Sequence, residues 1–135
     1  GVPVMGHIGF TPQSLYQIGG YKIQGKSSAQ ADKLIEDAQA LEQAGAFAIV
    51  LEMVISPVAE KLSAALDIPT IGIGAGPHPA GQVLVWLDAA GVGDWHPSFS
   101  KQFGQVGQAM TDAAAGYVAE VKGGSFPAAE HTFDE

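Results

Sequence analysis

The 135-residue sequence contains no cysteine, and only six lysine plus arginine residues against 14 aspartate plus glutamate. Without cysteine there is no disulfide and no thiolate metal site, which suits a reducing cytoplasm. The formal net charge of −8 works against nucleic acid as a partner. A phosphate backbone would repel the chain, and six basic residues cannot line a cationic groove. No apolar run reaches the ~18 residues of a membrane span, and no charged-then-apolar signal segment opens the sequence. Charged residues are scarce at 15%, whereas hydrophobic residues make up 47%. Such a chain buries much of its surface, in a tight core or against partner chains. Its length fits one domain with a real core and is short for two. The start, Gly1-Val2-Pro3-Val4, falls inside strand-like sequence without a methionine and reads as a cut.

What is plentiful is glycine, at 18 residues, placed beside apolar runs where it serves tight turns and close backbone approach. The run Gly45–Val54 is almost wholly apolar, with one carboxylate, Glu52, near its end. That composition predicts a strand buried on both faces, as in a parallel sheet covered by helices. A carboxylate there either emerges into solvent or serves as an acid or base at the carboxyl edge of the sheet, where α/β folds place their sites. Burial of that kind disfavours the charged form of a carboxylic acid.

The remaining elements alternate around this strand. Val2–Ile8 predicts a short buried strand with His7 near its carboxyl end, either a satisfied structural imidazole or a site residue. The glycine-punctuated stretch from Gly9 to Gly25 predicts a long functional loop. Ser27 and Gln30 form the pattern of a capping box, and Ala31, Leu34, Ile35, Ala38 and Leu41 one apolar helix face, with Gly45 as the stop. Helix and then strand, after a first strand, make a βαβ unit. The unit repeats: Ser56 is predicted as a cap with Pro57 in the first helical position, and the helix ends near Asp67. Pro69–Gly74 predicts a third strand. Gln82–Leu87 predicts a fourth ending at Asp88, with a helical turn as the alternative. From Ser98 to Lys122, Phe99, Phe103, Val106, Met110, Ala113, Tyr117 and Val121 recur every three or four residues. They predict a long helix with a narrow stripe, packed in the core or on a neighbouring chain. Gly72-Ile73-Gly74-Ala75-Gly76 has Gly-x-Gly-x-Gly spacing but lacks the further step of a dinucleotide fingerprint, and Pro77 and Pro79 oppose the helix such a loop needs. Its better use is close backbone approach to a flat or acidic ligand at the sheet edge.

Four parallel strands with intervening helices are half of a (β/α)8 barrel. The expected division is 1–97 as that half and 98–135 as a helix and tail. A half barrel leaves strand edges open, so a second copy or the missing half is expected beside it.

Several blocks together resemble the ketopantoate hydroxymethyltransferase family: Gly6–Ser14, Gly19–Gly25, Ala46–Val54 around Glu52, Ile68–Pro77, Gly81–Val85 and Phe126–Phe133. The match runs in order over nearly the whole chain and is similar to the carboxyl-terminal half of such an enzyme, from barrel strand 5 through 8. The resemblance implies a cytoplasmic (β/α)8 enzyme of pantothenate biosynthesis that uses Mg²⁺ and forms a large homo-oligomer, typically a decamer. The implied reaction moves a hydroxymethyl group from 5,10-methylenetetrahydrofolate to 3-methyl-2-oxobutanoate, giving 2-dehydropantoate. On this resemblance Glu52 aligns with the proposed catalytic base, and His7, Gly72 and Gly74 fall along the substrate-binding rim. The family's metal-binding aspartates belong to its amino-terminal half, which the resemblance makes the partner of this chain. Ile55-Ser56-Pro57 and the stretch Gly93–Pro97 depart from the family pattern. Two other readings stay open: a non-catalytic assembly fragment, and another metal-dependent enzyme acting on a 2-oxo acid.

Overall fold

A computed structural model describes residues 1–133. The chain forms two compact units, Gly1–Leu84 and Val85–Glu135. Residues 85–97, grouped with the barrel half in the expected division, lie in the second unit.

The first unit is built on a four-stranded parallel sheet in the order β1-β2-β3-β4. Its strands are β1 (Met5–Gly9), β2 (Ala48–Glu52), β3 (Thr70–Ile73) and β4 (Gly81–Gln82). A one-turn helix, α1 (Leu15–Ile18), interrupts the loop after β1. The crossovers are α2 (Ser28–Gln43) and α3 (Ser56–Ala64). Alternation along the strands sends Ile8, Ile49 and Leu51 into one core with Ala38 of α2 and Val58, Ala59 and Leu62 of α3. Leu34, Ile35 and Leu41 pack against that core from α2. The helix-periodic stripe of the sequence is therefore the sheet-facing stripe of α2.

The start of α2 follows its sequence signal with a shift of one residue. Ser27 Oγ accepts from the Gln30 amide at 3.3 Å, while Gln30 Oε1 accepts from the amide of Lys26 rather than from that of Ser27. Two side chains then tie α2 and α3 to β3. Glu42 Oε1 accepts from the amides of Asp67 and Ile68 at 2.7 and 3.1 Å. Ser63 and the buried Thr70 share a hydroxyl hydrogen bond of 2.6 Å.

Four expectations need correction. β2 is not buried on both faces: Val50 and Glu52 are half-buried, because α2 and α3 cover only the face of Ile49 and Leu51. At α3 the cap is Ile55, Ser56 is already helical and makes no capping hydrogen bond, and the helix ends at Ala64 rather than near Asp67. The Ser56 hydroxyl is directed at Gly76 instead, so closely that a Cβ at Gly76 would collide with it.

The fourth strand is only Gly81–Gln82. Its ladder closes with the Val83 amide on the Gly72 carbonyl, and the apolar run continues into the short helix α4 (Trp86–Ala90). The long helix begins at Val106, not at Ser98, and forms α5 (Val106–Gly123). Ahead of it the backbone is used elsewhere: the Ser100 amide bonds to Pro97 O, and the Phe103 amide bonds to Ala89 O. Phe99 and Phe103 therefore share the stripe's spacing without sharing its helix.

In the second unit, α5 starts against the end of α4. The Gly107 amide donates to Gly91 O at 3.0 Å, and a Cβ at Gly107 would stand 2.8 Å from Val92 O. The tail folds back, with Phe126 edge-on to Tyr117 at 5.7 Å between ring centroids. No residue of α5 is buried. No described helix is long and apolar enough to cross a membrane.

Leu62 is fully buried between α3 and the sheet. Leu62→Ala is expected to lower stability by about 2–5 kcal/mol, read as a drop in the urea midpoint at unchanged slope. A wild-type midpoint would show that this core does not hold the unit together.

Candidate active site at the carboxyl edge of the sheet

β1 and β2 pair in parallel with His7 opposite Val50 and Gly9 opposite Glu52. His7 and Glu52 thus stand diagonally on one face of the sheet, opposite the face packed by α2 and α3. Their side chains meet, His7 Nε2 lying 2.9 Å from Glu52 Oε2. The carboxylate side chain is 16% exposed and the imidazole 39%, so the pair is shielded but reachable. An Nε2–H donating to the carboxylate fixes one oxygen and the ring together. Among the described residues Oε1 of Glu52 has no hydrogen-bond partner. A carboxylate held by one oxygen and open at the other is suited to accept a proton from a bound molecule.

The backbone around Glu52 is held from both sides. Its carbonyl accepts from the Phe10 amide at 2.8 Å. Gly9, at φ +92°, makes that approach possible, because a Cβ there would collide with the same carbonyl. On the other side the Met53 amide donates to Ile73 O at 2.9 Å, and Met53 O accepts from the Gln24 amide at 2.7 Å. Met53 takes a left-handed φ of 51°, uncommon for a residue with a side chain. It turns the chain out of β2 directly after the carboxylate.

The four residues singled out from sequence are not equivalent in space. His7 and Glu52 are brought together. Gly74 follows Ile73, the register partner of Glu52, at the same carboxyl edge. Gly72 pairs with Leu51 and lies on the opposite face, where a Cβ would stand 2.9 Å from Pro79 Cγ. Gln24 and Met53 were not anticipated. Gln24 joins the β1–α2 loop to the exit of β2 by donating to Met53 O and accepting from the Ile55 amide. No side-chain pattern signals a role carried by backbone atoms. A left-handed methionine is equally silent in sequence.

Magnesium takes an octahedral set of oxygen donors, typically one or two carboxylates with substrate and water. The described residues bring together no group of three His, Asp or Glu side chains able to hold a metal. The single carboxylate of the pair already has one oxygen on an imidazole. The donor set of the described residues does not fit Mg²⁺.

Gly9→Ala is expected to cost about 1–3 kcal/mol through its positive φ and its collision with the Glu52 carbonyl. Urea unfolding reads that loss, and a crystal structure of the variant would show Glu52 displaced. An undisturbed midpoint would mean the two strands do not approach so closely.

Comparison with known proteins gives a consistent result. The sequence model described as ketopantoate hydroxymethyltransferase matches residues 1–129. Three relatives bear the name 3-methyl-2-oxobutanoate hydroxymethyltransferase. That of Geobacter metallireducens is 52% identical over 133 residues, 98% of this chain and 50% of its own length. That of Saccharopolyspora erythraea is 53% identical over 135 residues, covering 99% and 46%. That of Clostridium beijerinckii is 53% identical over 133 residues, covering 98% and 48%. The chain spans about half the length of the curated relatives it matches. With a parallel α/β sheet, a histidine–glutamate pair at its carboxyl edge and this extent of match, the chain belongs to the ketopantoate hydroxymethyltransferase family.

Proposed function

We propose that this chain is part of an enzyme that transfers a hydroxymethyl group from 5,10-methylenetetrahydrofolate to 3-methyl-2-oxobutanoate, giving 2-dehydropantoate. The observation that carries the proposal is the 2.9 Å contact between His7 and Glu52 at the carboxyl edge of a parallel sheet, within a chain of this family.

Glu52 is the base. Its free oxygen takes the proton from C3 of the 2-oxo acid, leaving an enolate whose C3 attacks the one-carbon unit of the folate. A new carbon–carbon bond forms, both carbon–nitrogen bonds that hold the methylene carbon to the folate break, water supplies the hydroxyl to that carbon, and the two folate nitrogens take up the C3 proton and the remaining proton of the water. His7 holds Glu52 Oε2, so that the open oxygen keeps a fixed direction toward the substrate. Gly74 and the rim after β3 bring backbone close to the oxo acid, and Gly72 supports that rim from the helix-covered side. Mg²⁺ is assigned to residues outside this chain, and the role derived for this chain is confined to proton transfer and positioning.

The architecture proposed for the whole protein is a (β/α)8 barrel to which this chain gives strands 5 to 8. The one-sided cover of the sheet by α2 and α3 supports it, because a parallel sheet is normally covered on both faces. An amino-terminal half completes the barrel and carries the metal-binding aspartates. Residues 98–135 act as an assembly element: α5, with Met110, Tyr117 and Val121 exposed, packs on a neighbouring subunit of a homo-oligomer, a decamer in this proposal. The enzyme works in the cytoplasm.

Exchange of the C3 proton of 3-methyl-2-oxobutanoate, followed by proton NMR in deuterium oxide with the complete protein and added Mg²⁺, tests the base. Glu52→Gln is expected to slow exchange by about 10²–10⁴-fold. Exchange at the wild-type rate would remove Glu52 from the mechanism. His7→Ala, which removes one charge-assisted hydrogen bond, should slow it by roughly tenfold, with His7→Gln restoring part of the loss. A His7→Ala rate equal to wild type would mean that the contact positions nothing.

A further inference from the structure

We infer that the loop between β1 and α2 holds a binding site for the anionic tail of an extended organic ligand, with Lys22 and Lys26 as its cations. The site is a cavity of about 560 Å³, a size that suits a small molecule. Ile18, Tyr21 and Ile23 give it an apolar side, and Lys22, Lys26 and Gln24 give it a polar one. Among the described residues no aspartate or glutamate lines it.

The charge pattern is what singles this cavity out. A chain of net charge −8 repels anions in general. Yet two of its six basic residues stand four positions apart in one cavity wall. Among the described residues neither ammonium is paired with a carboxylate. The nearby Lys33 behaves differently. It is paired with Asp37, whose hydrogen bond and charge raise the pKa of that ammonium. Lys22 does not simply extend into solvent either. Its ammonium folds back over Gly19, where a Cβ would stand 2.8 Å from Nζ.

Position gives the cavity its use. Gln24, in the cavity wall, is the residue whose backbone bonds to Met53 and Ile55 at the exit of β2. The wall is therefore continuous with the backbone immediately following Glu52. A ligand whose reacting end lies at the carboxyl edge can rest an apolar body on Tyr21 and Ile23 and place carboxylates on Lys22 and Lys26. This assignment rests on the function proposed above. There the one-carbon donor is a folate, whose glutamyl tail supplies those carboxylates.

Direct binding tests the site without turnover. The complete protein is titrated calorimetrically with monoglutamyl and with polyglutamyl tetrahydrofolate. Wild type is expected to prefer the polyglutamyl form by about tenfold, the scale of one added charge-assisted contact. In K22Q/K26Q the two forms should bind alike, and in K22R/K26R the preference should return. Circular dichroism checks that the variants are folded, and the single variants K22Q and K26Q replace a double variant that is not. An equal preference in wild type and K22Q/K26Q would overturn the site, as would no preference in wild type. Abolition of the preference by millimolar inorganic phosphate at constant ionic strength would also overturn it, by showing a free-anion site instead of a tail site. The role of Glu52 is read separately, in the folate-free proton exchange, so either idea can fail while the other stands.

Discussion

The position of the candidate site depends on the alternation of side chains along β2. Ile49 and Leu51 are fully buried against α2 and α3, and each such side chain stabilises the fold by about 1.5–3 kcal/mol. Val50 and Glu52 then have to face the other way. A slip of one residue in register would drive the Glu52 carboxylate among Ala38, Val58 and Leu62 and put two aliphatic side chains in its place. The contact between His7 and Glu52 is too weak to decide that question, since a partly exposed ion pair contributes about 0–1 kcal/mol. The core sets the register, and the meeting of His7 and Glu52 follows from it.

The same logic explains which features were legible in the sequence. The strand at Ala48–Glu52, the stripe of α2, the Ser27 cap and the parallel β–α–β order all follow from burial and periodicity, and these are written in side chains. His7 and Glu52 were each visible as polar groups at strand ends; their meeting required the register, which the sequence does not state. What was not legible depends on competition for backbone hydrogen bonds. The apolar run Gln82–Leu87 satisfies both strand and helix, and the matter is settled where the ladder with β3 ends at Val83 and Gly91 offers a left-handed stop for α4. Phe99 and Phe103 keep helical spacing with Val106, but the turn at Pro97 and the bond from Phe103 to Ala89 take their backbone out of the helix. Gly72 and Gly74 looked alike as members of one glycine loop. The pleat separates them, because Gly72 is still inside β3 and faces the helices while Gly74 has left the strand.

Three backbone segments converge on Glu52 and Met53: the end of β1 through Phe10 on Glu52, and the end of β3 through Ile73 and the β1–α2 loop through Gln24 on Met53. The last of these gives the loop a mechanical reason to be ordered. A stretch with Gly19, Gly20 and Gly25 has much conformational entropy to lose, and the bridge from Gln24 to Met53 and Ile55 adds backbone hydrogen bonds that offset some of that loss. It also makes the geometry of the lysine-lined cavity depend on the strand that carries Glu52. A ligand group bound by the loop is therefore referenced to the same backbone as the carboxylate. That coupling favours reading the cavity and the pair as parts of one site over two unrelated surface features.

The sheet itself argues for what lies beyond this chain. Parallel strands are rarely stable with one face uncovered, and here the face opposite α2 and α3 carries Met5, Val50, Ile71 and Ile73 beside His7 and Glu52. A solvent-facing sheet would be expected to show polar residues at those positions, as antiparallel sheets do. Aliphatic residues interleaved with two ionisable ones suit a closed interior instead, in which apolar side chains fill the barrel and the polar pair stands at its open mouth. Since the relatives are about twice as long as this chain, the remaining length is enough to supply a second set of four strands. In the proposed barrel, Glu52 gains its final environment only on closure. In the enzyme proposed above, the base and the metal come from opposite halves, and assembly of the barrel is the step that completes the site.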